Sequence, residues 1–181
     1  MTSSTHGCSR WRPVVRSGIR PILLAAVLPA ALLVQGCAGH GGGYYYAGGE
    51  RFDLRGLHKQ RAQVVKAGLS QLGTPYAYGG SEPGRALDCS GLTQYAHHAG
   101  GLKIPRMAAA QQGAAKRLRR RPMPGDLVFF KTGPSQYHVG LMVDERRFVH
   151  ASTSRRQVRL ASLDNRYWRE RYQGAGSYLR R

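Results

Sequence analysis

The feature that most limits the fold is a change of period at PMPGD, residues 122–126. Before it, Leu57, Val64, Val65, Leu69 and Leu72 recur near helical spacing. They predict a helix over 57–72 that stops at Gly73, with Gly68 as an awkward interior residue. A second helix is predicted over Cys89–Ala99, capped by Asp88 and ended by Gly100-Gly101, and a short third one around Met107–Gly113. GTPYAYGGSEPGRAL between the first two reads as a loop, dense in Gly and Pro. After PMPGD, the segments LVFFK, YHVGLMVD, RFVHAS and RQVRLA read as short strands. GAGSYLR gives a fifth strand, and LDNRYWRERY before it a short helix. Helices followed by strands with short turns describe an α+β domain, with N-terminal helices packed on an antiparallel sheet of about five strands.

The start of the chain reads differently. Arg10, Arg12, Arg16 and Arg20 form a basic region without acids, and an apolar run from Ile22 to Val34 follows, interrupted by Pro29. That run is short for a membrane span and fits a secretory signal peptide. It ends in LVQGC, where a small residue precedes Cys37 as in a lipoprotein cleavage site. Residues 1–36 are therefore expected to be a signal peptide and Cys37 the lipidated N-terminus, which attaches the protein to a membrane. The glycine-rich AGHGGGYYYAGGE suggests that 37–56 form a flexible tether, and 57–181 the folded domain.

Export also bounds the chemistry. The formal net charge is +19, or +15 once residues 1–36 are removed. Such a field suits anionic envelope polymers, and export argues against nucleic acid. The densest run, KRLRRR at 116–121, lacks the aromatic interleaving of single-strand binders. Of three cysteines, Cys8 leaves with the signal peptide and Cys37 carries lipid. Cys89 is then alone in an oxidising compartment, either an inert packed thiol or a reactive one.

Cys89 follows Asp88 in LDCSG, at the expected start of a helix, where free N–H groups and the helix dipole favour a thiolate. A nucleophilic cysteine needs a histidine partner. His97 and His98 lie about two turns further along the same helix, too far to meet the sulfur easily. His138 and His150 lie on adjacent predicted strands. A three-residue turn at Asp144, Glu145 and Arg146 would set Gly140 opposite His150 and place both histidines on one sheet face. Gly140 would then leave space above the sheet. In that register His138 is the base that takes the thiol proton, and His150 orients it. The N–H of Cys89 and a tyrosine of TPYAY are candidate oxyanion donors. Zinc binding by Cys89, His138 and His150 is the competing use of these residues, but the chain lacks the C-x-x-C or H-x-x-x-H spacing of common zinc sites.

GTPYAYGG, LDCSGLTQY, IPR followed by Gln111, PGDLVFF, HVGLMV, FVHAS and RYWRERY, in this order, resemble the NlpC/p60 family of cell-wall cysteine peptidases. The likeness is strongest to Gram-negative murein DD-endopeptidase lipoproteins. It implies a small papain-like domain that needs no metal or cofactor. It matches Cys89 to the nucleophile, His138 to the base, His150 to the third polar residue and Tyr76 to the oxyanion site. Asp88, Ser90 and Arg106 fall on the oxyanion and substrate side. Three features depart from the family pattern. Met107 and Ala108 follow IPR where a Ser or Thr is usual, the loop 81–87 is slightly longer, and the DERR turn lacks a glycine.

The resemblance implies a lipid-anchored peptidase on the outer membrane, facing the periplasm and cutting peptidoglycan stem peptides, with the D-alanyl–diaminopimelate cross-link as the preferred bond. A γ-D-glutamyl–diaminopimelate endopeptidase or an L,D-carboxypeptidase is the alternative within the same chemistry. Acyl transfer to an amine or alcohol, and a non-catalytic wall-binding lipoprotein, are the alternatives outside it.

Overall fold

The computed structural model describes residues 43–180. The expected signal peptide, residues 1–36, and the expected lipidation site, Cys37, lie outside them. Among the described residues no helix is long and apolar enough to cross a membrane.

The described residues open with a hairpin, β1 (Tyr44–Ala47) and β2 (Glu50–Asp53). This corrects the tether, which was expected to run to residue 56. Gly48 and Gly49 both have positive φ, +58° and +80°, so the glycine pair forms a tight two-residue turn and not a loose linker. Phe52 and Leu54 behind it are buried in the core.

Helix α1 (Lys59–Leu69) is shorter than expected at both ends. The His58 side chain caps it by accepting from the N–H of Gln60. Gly68 is explained by close packing, since a Cβ there would lie 2.5 Å from Leu141 of the sheet. A two-residue-per-strand hairpin, β3 (Ser81–Glu82) and β4 (Ala86–Leu87), leads into α2 (Cys89–Ala99). The short α3 (Ala108–Ala114) follows.

The main sheet has six strands, one more than the reading of about five. Its order is β5 (Lys116–Arg117), β10 (Tyr172–Ser177), β6 (Leu127–Gly133), β7 (Gln136–Met142), β8 (Arg147–Ser152), β9 (Gln157–Ser162). The added strand, β5, falls inside KRLRRR and pairs with β10 at the sheet edge. Its two-residue length and exposed basic side chains gave no apolar alternation to read. Helix α4 (Arg166–Arg171) lies between β9 and β10.

Both faces of the sheet are covered, which is why LVFF is apolar without alternation. On one face Leu127, Phe129, Val139, Leu141 and Val149 pack with Val64 and Leu69 of α1 and Leu92 of α2. On the other, Val128, Phe130, Met142 and Phe148 form a smaller cluster roofed by Trp168 of α4.

Asp126 of the PGD motif ties the layers together. Its fully buried carboxylate meets Arg61 of α1 at 2.9 Å and Arg120 at 3.0 Å. It also accepts from Ser177 of β10 at 2.6 Å and from the N–H of Met123 at 2.9 Å. Such a carboxylate is tolerated in the interior because its lone pairs are answered.

Candidate active site

Asp88 has extended backbone (φ −94°, ψ 178°), and its side chain accepts from the N–H of Gly91 at 2.6 Å, the N-cap geometry that starts α2 at Cys89. Gly91 has no alternative, because a Cβ there would sit 2.2 Å from the carbonyl oxygen of Gly80. Arg106 clamps the turn with a fork. Nη2 lies 2.7 Å from Asp88 Oδ2 and donates to the Gly80 carbonyl, while Nη1 donates to Asp88 Oδ1 and to Ser90 Oγ, each at 2.9 Å. Asp88, Ser90 and Arg106 therefore line the cleft but spend their polar atoms largely on one another. Gln111, whose role was not foreseen, is fully buried and fastens α3 to α2, receiving from Thr93 Oγ1 at 2.7 Å and donating to the carbonyls of Ser90 and Pro105.

Tyr76 reaches this turn from a segment stitched to two strands. Its N–H donates to the Arg156 carbonyl, and Val158 and Leu87 bond to the carbonyls of Thr74 and Pro75. Arg156 holds a left-handed backbone (φ 57°) at the β8–β9 turn, with its guanidinium 5.6 Å from the centre of the Tyr76 ring. Tyr78, the other tyrosine of the loop, is 91 % exposed.

The two strand histidines come together as the three-residue turn requires. The ladder pairs Leu141 with Val149 and Met142 with Phe148, and the N–H of Val143 donates to the Arg147 carbonyl. Asp144 takes over the work of the missing turn glycine, accepting from the N–H groups of Arg146 and Arg147 at 2.9 and 2.7 Å. Beyond the ladder, His138 Nε2 and His150 Nδ1 are 2.9 Å apart. One donates and the other accepts, and Nδ1 of His138 remains for a second partner. The space expected above Gly140 is filled, because the Phe148 ring comes within 2.3 Å of where a Cβ would be.

Trp168, in the RYWRERY segment, takes its role only from the fold. Its indole stacks on His138, with centroids 5.4 Å apart and planes at 23°, and meets His150 edge to face at 4.9 Å. Nothing in the local sequence links a tryptophan at 168 to a histidine thirty residues earlier; only the fold does.

Cys89, His138, His150, Tyr76 and Trp168 line one open cleft of about 1010 Å³. Among the described residues no group of three or more His, Cys, Asp or Glu side chains is placed to hold a metal ion. Burial shapes the titrations. It pushes the Cys89 thiol up to about 11, against the pull of the Val139, Ser90 and Cys89 amides. It pushes His138 down to about 4, and His150 well below the usual imidazole range. Desolvation thus opposes the thiolate that the helix terminus favours, and the resting pair is neutral, with the thiol proton still to be taken by a base. Burial also raises the Tyr76 phenol, followed by the proximity of Cys89 and Asp88, so it remains a hydrogen-bond donor at neutral pH.

Comparison with known proteins adds to this geometry. A sequence model described as "NlpC/P60 family" matches residues 73–177. The "Bifunctional muramidase/DL-endopeptidase CwlT" of Bacillus subtilis is 38% identical over 111 residues, 59% of this chain and 33% of that protein. The "Probable endopeptidase NlpC" of Escherichia coli is 36% identical over 81% of this chain and 93% of its own. The "Murein DD-endopeptidase MepS/Murein LD-carboxypeptidase" of Escherichia coli is 38% identical over 60% and 58% respectively. Among solved structures, a lipoprotein-like NLP/P60 protein of Staphylococcus aureus superposes with a TM-score of 0.61 at 30% identity, covering 68% of this chain and 42% of that one. Except for NlpC, then, the chain spans less than two thirds of these proteins' own length.

Proposed function

The chain belongs to the NlpC/P60 family, and from that premise we propose that it is a cysteine peptidase of the cell wall, cutting peptide bonds of peptidoglycan. The observation that carries the reading is the 2.9 Å bond between His138 Nε2 and His150 Nδ1, in the cleft that Cys89 enters at the start of α2.

The chemistry follows from which atoms are free. Sulfur holds the proton in the resting site, so attack and proton transfer are coupled. His138 Nδ1 takes the Sγ proton as sulfur bonds to the substrate carbonyl carbon. The oxyanion forms beside the N–H of Cys89 and the Tyr76 hydroxyl, which donate to it. His138 returns the proton to the departing nitrogen, the C–N bond breaks, and an acyl-thioester remains. Water then gives a proton to His138 and its oxygen to the acyl carbon; sulfur leaves and recovers the proton. His150 keeps the ring in one tautomer throughout.

The D-alanyl–diaminopimelate cross-link is the bond we assign first, supported by the likeness to the murein DD-endopeptidase of Escherichia coli. A DL-endopeptidase specificity is the second reading, favoured by the likeness to CwlT. Lipid at Cys37 would hold the enzyme at the outer membrane with its cleft toward the wall, and the basic surface would favour anionic wall material.

Digestion of purified peptidoglycan by the full chain beside Cys89→Ala, with products resolved by mass, tests the reading. Cross-linked dimers should disappear with the native chain alone. Identical digests from both proteins would sink it.

A further inference from the structure

The cleft carries an imbalance of charge that the catalytic residues do not use. Among the described residues Asp88 is the only carboxylate lining it, and Asp88 is engaged by Arg106. The opposite wall is the β8–β9 hairpin, where Arg155 and Arg159 line the cleft. Among the described residues neither guanidinium pairs with a carboxylate.

Arg159 has the more telling position. In the β8–β9 ladder it lies directly across from His150. Directly paired residues project from the same face with Cβ atoms about 5 Å apart. The alternation of β9 agrees: Arg159 and Ala161 border the cleft, while Val158 is buried in the core on the other face. A permanent cation therefore stands next to the histidine that orients the base. Its charge already acts there, as one of the causes that hold His150 below its ordinary range, after burial and His138. An unpaired cation beside a base opposes formation of the imidazolium that catalysis requires. An anion brought in by the substrate would relieve that opposition.

The substrate chemistry supplies such an anion at the right atom. When D-alanine is joined to the amine on the D-centre of diaminopimelate, the carbon bearing the departing nitrogen also bears a free carboxylate. An L,D-carboxypeptidase substrate shares this feature, since the leaving D-alanine has its own terminal carboxylate. A γ-D-glutamyl–diaminopimelate bond within a stem lacks it, because the carboxyl beside that nitrogen is itself amidated by D-alanine. His138 must reach the departing nitrogen to protonate it, so a carboxylate one carbon away enters the region of His150 and Arg159.

We propose that Arg159 binds the carboxylate on the leaving-group side of the scissile bond and thereby selects bonds whose departing amine carries a free α-carboxylate. The proposal rests on the peptidoglycan-peptidase reading and deepens it: the site takes D,D cross-links and L,D termini and rejects γ-D-glutamyl bonds. Arg159 acts on the substrate's acid by paired N–H donors, a geometry lysine reproduces only as a point charge.

The test compares two purified cross-linked muropeptide dimers, identical except that the carboxyl beside the departing amine is free in one and amidated in the other. The full chain in detergent should show kcat/KM higher for the free acid by roughly tenfold or more, the scale of a charge-assisted hydrogen bond. Arg159→Gln should bring the ratio close to one, chiefly by losing the free-acid substrate, and Arg159→Lys should restore part of it. A ratio near one in the native chain, an unchanged ratio in Arg159→Gln, or cleavage at the γ-D-glutamyl bond would overturn the proposal. A purely structural role for Arg159 would lower both rates together and leave the ratio alone. Cleavage of neither dimer by the native chain, matched by Cys89→Ala, would instead remove the underlying peptidase reading and the proposal with it.

Discussion

The cysteine side and the histidine side of the cleft are held by opposite means. Cys89 sits on a turn fixed by directional polar contacts: the Asp88 cap, the Arg106 fork and the Gly80 carbonyl. His138 and His150 share one hydrogen bond and are otherwise held by rings, with Trp168 against both and Phe148 5.4 Å from His150. A polar clamp sets angles and distances but admits water at its rim. An aromatic cage sets angles loosely and excludes water. The nucleophile needs position, whereas the base needs an environment that keeps it neutral and its bond to His150 dry.

The comparison breaks hardest on the polar side. Asp88→Ala removes the cap, strips Arg106 of its carboxylate partner and frees the first turn of α2. Losing a cap and a half-exposed ion pair should cost about 2 kcal/mol of stability. Activity should suffer more, because a displaced nucleophile loses the advantage of a fixed approach; we expect kcat/KM to fall on the order of a hundredfold. Denaturant unfolding read beside the rate separates the two losses. A rate that falls only as far as the folded fraction falls would show that the clamp stabilises the fold without aiming Cys89.

On the aromatic side the expected loss of rate is smaller but has a distinct signature. Trp168→Ala should lower kcat/KM by about tenfold, the scale of one positioned proton-transfer partner partly disturbed. It also lets water reach His138. Burial is what holds that imidazole at about 4, so hydration moves its titration back toward ordinary values. A protonated His138 cannot accept the thiol proton, so activity falls as pH drops through this titration. The acid limb of kcat/KM should therefore move upward in Trp168→Ala, by about one pH unit or more, while Asp88→Ala moves it far less. Equal limbs in the two variants would erase the distinction between clamp and cage.

These means of support also differ in how well sequence discloses them. The bounds of α2 and the cap at Asp88 were legible because each is local: a residue type at a fixed offset from its partner. The odd register at DERR was a condition for pairing the histidines, since an even-length turn would have set them on opposite faces, and the ladder supplies it. The lack of Ser or Thr after IPR was legible too, and its outcome is plain, for Met107 stands at the N-cap of α3 with no side-chain bond to give. The cage was not legible, since Trp168 meets His138 across about thirty residues and two intervening strands. The Cys89 titration was legible only in part: the helix terminus can be read from LDCSG, but burial depends on everything packed around it. In AGGE the glycines carried two meanings, linker and tight turn, and only the burial of Phe52 and Leu54 behind them decides between the two.

The smallest effect sharpens the comparison by crossing it. His97 lies on α2, behind the polar wall, yet it shares the condition of the cage: it is fully buried, its Nδ1 faces the Thr93 carbonyl, and its Nε2 has no partner among the described residues. Burial holds it at about 4 as well. For such a depressed histidine the unfolded chain takes up a proton near pH 6.5 while the folded one does not, so stability declines as pH falls from about 6.5 to about 4. By pH 5 each histidine of this kind should cost about 2 kcal/mol relative to neutral pH. His97→Phe keeps a ring in the pocket beside Tyr178, removes an unpaired buried nitrogen and abolishes one of these protonations. Its melting temperature should therefore fall less between pH 7 and pH 5 than that of the native chain, while the acid limb of kcat/KM stays in place. Movement of that limb would mean that the cysteine helix and the histidine cage titrate as one unit, and that the two walls are not independent.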